Sequence, residues 1–140
     1  MPELPEVETV RRGLADLLPG QAIMRATVFD SPKSFPNSPT DVQQFLYGAH
    51  VTAVRRRAKV LMIDLDTRYS LVIHLKMTGQ LIFRGANSFA GGHPNDSLIG
   101  ELPDRSTRVQ IDFTDGSRLF FNDQRKFGWM KLMPTDEIEN

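Results

Sequence analysis

The stretch MPELPEVETVRRGLADLL, residues 1–18, organises the rest of the chain. Leu4, Val7, Val10, Leu14, Leu17 and Leu18 step by three or four, the spacing of one helix face turned to a core. Pro5 suits a first helical turn, and Glu6 and Glu8 suit the positive end of the helix dipole. Glu8 and Arg12 form an i,i+4 pair, and Pro19-Gly20 stops the helix. The mouth of this half-buried helix therefore holds Pro2 and Glu3. Initiator methionine is usually removed ahead of a small residue, so the mature chain is expected to begin at Pro2 with a free secondary amine. An α-amino group titrates near ~7.7–8, and the helix field disfavours its protonated form. Such an amine attacks a sugar aldehyde carbon to give an iminium ion, an electron sink for elimination, and a neighbouring carboxylic acid can protonate the departing ring oxygen. From spacing alone, the plainer reading is an ordinary N-terminus ahead of a helix.

Outward from this helix the chain reads mostly as strands. Ala22–Phe29 alternates loosely, and Ser31–Thr40, with three prolines, reads as a surface loop. Asp41–Tyr47 reads as a short helix capped by Thr40 or Asp41 and stopped at Gly48, with Val42, Phe45 and Leu46 inward. Further strands are expected at His50–Arg57, Lys59–Leu65, Tyr69–Leu75 and Gln80–Arg84. Gly85–Pro103 is rich in Gly, Asn, Ser and Pro and reads as a long mobile loop. Thr107–Phe113 alternates, with Val109, Ile111 and Phe113 on one face and Arg108, Gln110 and Asp112 on the other. Asp115-Gly116 turns it back into Arg118–Phe121, and Gly128–Met133 gives a last strand. The expectation is a mostly β, α+β fold: a two-layer β-sandwich or flattened barrel of about eight strands, with the long helix at the N-terminus and a short one flanking.

Composition narrows the classes. The 140 residues allow one domain with a real core. Lys plus Arg and Asp plus Glu are both 17, so net charge gives no argument for nucleic acid; distribution does more, with Arg55, Arg56, Arg57 and Lys59 clustered and Arg125 beside Lys126. The absence of cysteine excludes disulfides and cysteine-held zinc within this chain. No run has the length of a membrane span or the form of a signal peptide, so a cytoplasmic, monomeric protein is the default expectation.

Two loops and a strand start carry further chemistry. Lys59 opens an apolar strand, where it is either a solvated strand end or a charge held over a phosphate. Met77, in HLKMTGQL (74–81), and Phe127, in NDQRKFG (122–128), fall between strands. Apolar side chains on loops, with Arg125 and Lys126 beside one of them, are unusual in plain solvent.

The opening MPELPEVETVRRGL closely resembles that of bacterial formamidopyrimidine-DNA glycosylases, bifunctional base-excision repair enzymes that remove oxidised purines such as 8-oxoguanine and then cleave the strand. The resemblance implies that Pro2 is the Schiff-base nucleophile, Glu3 a general acid or proton shuttle, and Glu6 a supporting catalytic carboxylate. It implies that Lys59 contacts a phosphate and the damaged nucleotide in the active site, and that Met77, Arg125 and Phe127 fill the hole left by a flipped base, with Lys126 between them. Arg108 keeps the phosphate-facing position. For His74 a backbone-phosphate contact and a structural role stand side by side. Gln124, where the family often has Pro, and Ser106, where it often has His, depart from the pattern. The endonuclease VIII branch differs at the opening and at both loops, so the purine-repair branch is favoured; tautomerases, which also use an N-terminal proline, start it on a strand. The implied partner is double-stranded DNA containing an oxidised purine or an abasic site. Residues 1–133 are expected to form the N-terminal catalytic domain, with 134–140 the start of a linker to a helix–two-turn–helix and zinc-finger half. This chain then needs no cofactor of its own, the zinc belonging to that second half, and alone it is expected to be weakly active or inactive. A non-catalytic damaged-DNA binding module is the alternative.

Overall fold

The computed structural model describes residues 2–138. Helix α1 (Leu4–Leu17) is followed by nine strands: β1 (Ile23–Val28), β2 (Val51–Arg57), β3 (Val60–Leu65), β4 (Tyr69–His74), β5 (Gly79–Arg84), β6 (Ser88–Gly92), β7 (Thr107–Phe113), β8 (Arg118–Asp123) and β9 (Trp129–Pro134). Helix α2 (Pro39–Phe45) lies between β1 and β2. The strands form two antiparallel sheets, one of order β1-β7-β8-β5-β6 and one of order β2-β3-β4-β9. The two-layer sandwich expected from alternation and apolar runs is therefore present.

Both sheets turn their inner faces to one core that includes Leu61, Ile63, Leu71 and Ile73 from one and Leu81, Val109, Ile111 and Phe121 from the other. From α1 and its C-cap, Val7, Val10, Leu14 and Leu18 join it with at most 1% exposure; each such side chain is worth about 1.5–3 kcal/mol on burial. Gly13 lets the helix lie directly on Phe89, since a Cβ there would come within 2.3 Å of the ring. Val10 likewise packs over Gly91. At the opposite side, Phe45 of α2 stacks on Tyr69 with ring centroids 3.9 Å apart.

Three expectations need correction. Gly85–Pro103 is not one long loop: Ser88–Gly92 pairs with β5, which brings the strands among the described residues to nine, and Asp96–Leu98 forms a one-turn 3-10 helix. Its glycines hide a strand whose cost is offset by pairing and by contact with α1. The cap of α2 is Ser38, whose hydroxyl accepts from the Asp41 N–H, with Pro39 as the first helical residue; proline's fixed φ suits that position. Ordered pairing also runs past Met133. Pro134 is the last residue of β9, and the Thr135 N–H donates to the Arg68 carbonyl at 2.9 Å.

Candidate functional site

Glu3 is the N-cap of α1, with extended backbone, and Pro5 and Glu6 fall in the first turn. The Glu6 carboxylate folds back to accept from the Glu3 N–H, which satisfies one of the donors a helix start leaves open. The Glu3 carboxylate completes a capping box at the first turn, and Lys59 Nζ donates to its Oε1 at 3.2 Å. Pro2 beside it is buried. The expected loss of Met1 concerns a residue outside those described.

One acid sets the height of this helix end. Glu8 accepts from Arg11 Nε and Nη2 at 2.9 Å, from Arg12 Nε at 2.7 Å and from Arg56 Nε at 2.8 Å. Hydrogen bonds from Arg11, Arg56 and Arg12 hold its carboxyl far below the usual carboxylate range. Since Arg56 lies on β2, Glu8 ties α1 to the hairpin whose turn carries Lys59. The i,i+4 partner Arg12 was legible in the spacing, whereas Arg56 was not.

The other expected residues gather at the same end. His74 closes β4, opposite Val60 of β3 and Trp129 of β9. Its Nδ1 accepts from the Lys76 N–H at 3.1 Å, which leaves the ring proton on Nε2. Burial, then the charges of Lys76 and Lys59, push its pKa down, so the ring is neutral at pH 7 and offers a hydrogen-bond donor rather than a charge. Met77, 39% exposed, sits on the β4–β5 turn, and Phe127, 52% exposed, on the β8–β9 turn. Arg125 lies over the Phe127 ring, its Cζ 5.2 Å from the centroid. The Arg125 N–H reaches across to the Thr78 hydroxyl at 3.1 Å, so the two turns touch. Lys126 points the other way, its Nζ 3.9 Å from Asp30 Oδ2.

Arg108 differs from a free, phosphate-facing cation. It is 5% exposed, and its Nε donates to the Asp123 carbonyl at 2.8 Å. The alternation that put it opposite Val109 is correct, but its side chain folds onto the end of β8. Arg108 lines an open cleft of about 450 Å³ with Asp104, Arg105, Ser106 and Gln124. Among the described residues, no group of three or more His, Asp or Glu side chains could hold a metal.

Strain accompanies these turns. Among the described residues, five non-glycine residues have positive φ, and three of them, Ala58 at 50°, Lys76 at 54° and Lys126 at 61°, lie on the turns that present Lys59, Met77 and Phe127. Such conformations cost on the order of 1 kcal/mol or more each and persist where surrounding contacts fix them.

Residues 1–130 match the family model for the formamidopyrimidine-DNA glycosylase N-terminal domain. The chain belongs to this family. It is 45% identical over 137 residues to the formamidopyrimidine-DNA glycosylase of Jannaschia sp. (strain CCS1), covering 96% of this chain and 46% of that relative. With the enzyme of Chloroflexus aurantiacus it shares 41% identity over 133 residues, covering 95% of this chain and 43% of the relative. The chain thus spans just under half the length of these curated relatives. Among solved structures, Lactococcus lactis Fpg bound to DNA containing N7-benzyl-Fapy-dG superposes with a TM-score of 0.79 at 28% identity, over 98% of this chain and 45% of that one. The same enzyme with DNA containing an abasic site gives a TM-score of 0.78 at 27% identity, over 97% of this chain and 45% of that one. The opening stretch and the Met77 and Phe127 turns therefore lie on a sandwich shared with these structures. Asp123, by contrast, drew no attention in the sequence, although it lies within the second loop motif.

Proposed function

We propose that this chain is the catalytic N-terminal domain of a base-excision DNA glycosylase with lyase activity, acting on oxidised purines in duplex DNA. The observation that carries this reading is the meeting, at one end of the sandwich, of the Pro2–Glu3 helix mouth, Lys59 on Glu3 at 3.2 Å, and two touching turns that expose Met77 and Phe127. Membership of the family, and the abasic-site and Fapy-dG DNA named in the Lactococcus lactis complexes, support it.

Pro2, freed of Met1, attacks C1′ of the damaged nucleotide as its neutral amine. The bond from C1′ to the base nitrogen breaks, and the base leaves with its electron pair and takes up a proton. Glu3 takes the proton that the Pro2 nitrogen releases on attack and returns it to the ring oxygen as the sugar opens, and the iminium forms without further protonation. Loss of the C2′ proton then expels the 3′ phosphate, and a second elimination expels the 5′ phosphate. Lys59 neutralises Glu3 in the resting site and a phosphate when DNA is bound; Glu6 holds the first turn. Met77, Arg125 and Phe127 occupy the space of the extruded base, a step that costs a few kcal/mol of unstacking. His74 contributes a neutral Nε2–H to the backbone.

Borohydride trapping on a single-stranded abasic oligonucleotide tests the core of this mechanism. A covalent adduct mapped to Pro2 is expected. An adduct on Lys59 would overturn the assignment, and no adduct at all would favour a non-catalytic damaged-DNA binding module.

A further inference from the structure

Asp123, the last residue of β8, is fully buried and carries a carboxylate that α1 and Lys59 never touch. Its Oδ1 accepts from the Thr78 hydroxyl and from the Arg125 N–H at 3.3 Å, and its Oδ2 accepts from the Gly128 N–H at 2.6 Å. Thr78 follows Met77 on one turn, while Arg125 and Gly128 bracket Phe127 on the other. The backbone of Asp123 is clamped as well: its N–H donates to the Ser106 carbonyl at 2.8 Å, and its carbonyl accepts from Arg108 at 2.8 Å. Nor can the second turn retreat toward the sheet. A Cβ at Gly128 would lie 2.7 Å from the His74 carbonyl and 3.0 Å from Asp123 Oδ2.

A buried carboxylate with three donors from two turns is a costly item to keep for stability alone, since an apolar group of equal size would need no partners. Its geometry serves a different end: it fixes the distance between the two exposed apolar side chains. We propose that Asp123 is a positioning residue which latches the Met77 and Arg125–Phe127 turns into one rigid wedge for probing the duplex. This assignment rests on the reading of Met77 and Phe127 as void-filling side chains. Without the latch, each turn carries a strained residue, Lys76 or Lys126, whose relaxation lets the two tips move independently. A wedge that flexes opposes stacking less effectively than one whose order is already set.

Two measurements on the same variants test the latch and the wedge separately. Thr78→Val removes the cross-turn hydroxyl at constant shape, and Thr78→Ser restores it. Amide exchange at Arg125 and Gly128 is expected to accelerate about fivefold or more in Thr78→Val and to return in Thr78→Ser, while Ile111 and Phe121 in the sheet keep their parent rates. Unchanged exchange at Arg125 and Gly128 would overturn the latch. The second measurement is the fluorescence rise of 2-aminopurine placed opposite a tetrahydrofuran abasic analogue in duplex DNA, at saturating protein. Met77→Ala and Thr78→Val are both expected to lose most of the rise. A parent-like rise in Thr78→Val with a loss in Met77→Ala would overturn the role of Asp123 in probing. No rise with the parent, or a full rise in Met77→Ala, would overturn the wedge itself and with it that role, and the exchange rates would still report whether the turns are coupled.

Discussion

Replacing Gly13 by Ala measures how α1 is docked. A Cβ at this position meets three atoms of the Phe89 ring at 2.3, 2.4 and 2.7 Å, far inside the ~3.5–4.0 Å of favourable carbon contact. Gly13 lies within the helix, so the change alone should add about 1 kcal/mol of helix stability. Overpacking opposes it at about 1–3 kcal/mol, because either Phe89 swings off its seat or the helix lifts. The net effect in the parent is therefore between about neutral and ~2 kcal/mol destabilising. In a Phe89→Ala background the clash has no partner, and Gly13→Ala should stabilise by roughly 1 kcal/mol. The double-mutant cycle should then show a coupling of about 1–3 kcal/mol. Urea unfolding followed by the single tryptophan, Trp129, reads all four proteins. Equal stabilisation by Gly13→Ala in both backgrounds would refute the close packing of α1 on β6. Because the same helix carries Glu3 and Glu6, the single variant should also trap abasic DNA more slowly than its stability loss accounts for.

Lys59→Met should leave the urea midpoint nearly unchanged, since its pair with Glu3 is solvent-exposed and worth at most ~1 kcal/mol, yet trapping should fall on the order of tenfold or more; parental trapping would remove Lys59 from the site. Glu8 has a depressed folded pKa, so its stabilisation is complete above the unfolded value of ~4.3 and is lost as pH falls through the folded one. The stability gap between parent and Glu8→Gln should accordingly be widest above that pH and shrink in acid, and a gap that widens in acid would contradict the Arg11–Glu8–Arg56 tie. The His74 ring should titrate below the ordinary ~6.5 when followed by proton NMR of the imidazole, whereas a raised midpoint would point to an acidic neighbour that the site lacks.

What the sequence disclosed follows from where its information is local. Helix α1 was readable because Val7, Val10 and Leu14 repeat at helical spacing and all three are buried. The β7–β8 hairpin was readable from Asp115-Gly116, and Gly116 indeed has φ of 91°. Strand β6 was not, because Ser88-Phe-Ala-Gly-Gly92 has no strand pattern of its own and gains one only by pairing with β5 under α1. At Ser38 the missed signal was local: Ser-Pro is a cap followed by a first-turn proline. The candidate site divides in the same way. Pro2, Glu3, Lys59, Met77 and Phe127 stand out through their motifs. The partners that hold them do not, since Arg56 reaches Glu8 and Thr78 reaches Asp123 across distances in the chain that no spacing rule covers.

The strand order has a bearing on how this domain comes into being on the ribosome. Ile23 of β1 pairs with Phe113, and β4 with β9, so both sheets wait for the last third of the chain. Helix α1 leaves the exit tunnel first, its seat at Phe89 follows later, and the turn holding Phe127 later still. At ordinary rates of translation that interval is on the order of ten seconds. Under the proposed function, a nucleophile at Pro2 gains its site only when the sandwich closes, and long-range β pairing of this kind closes slowly.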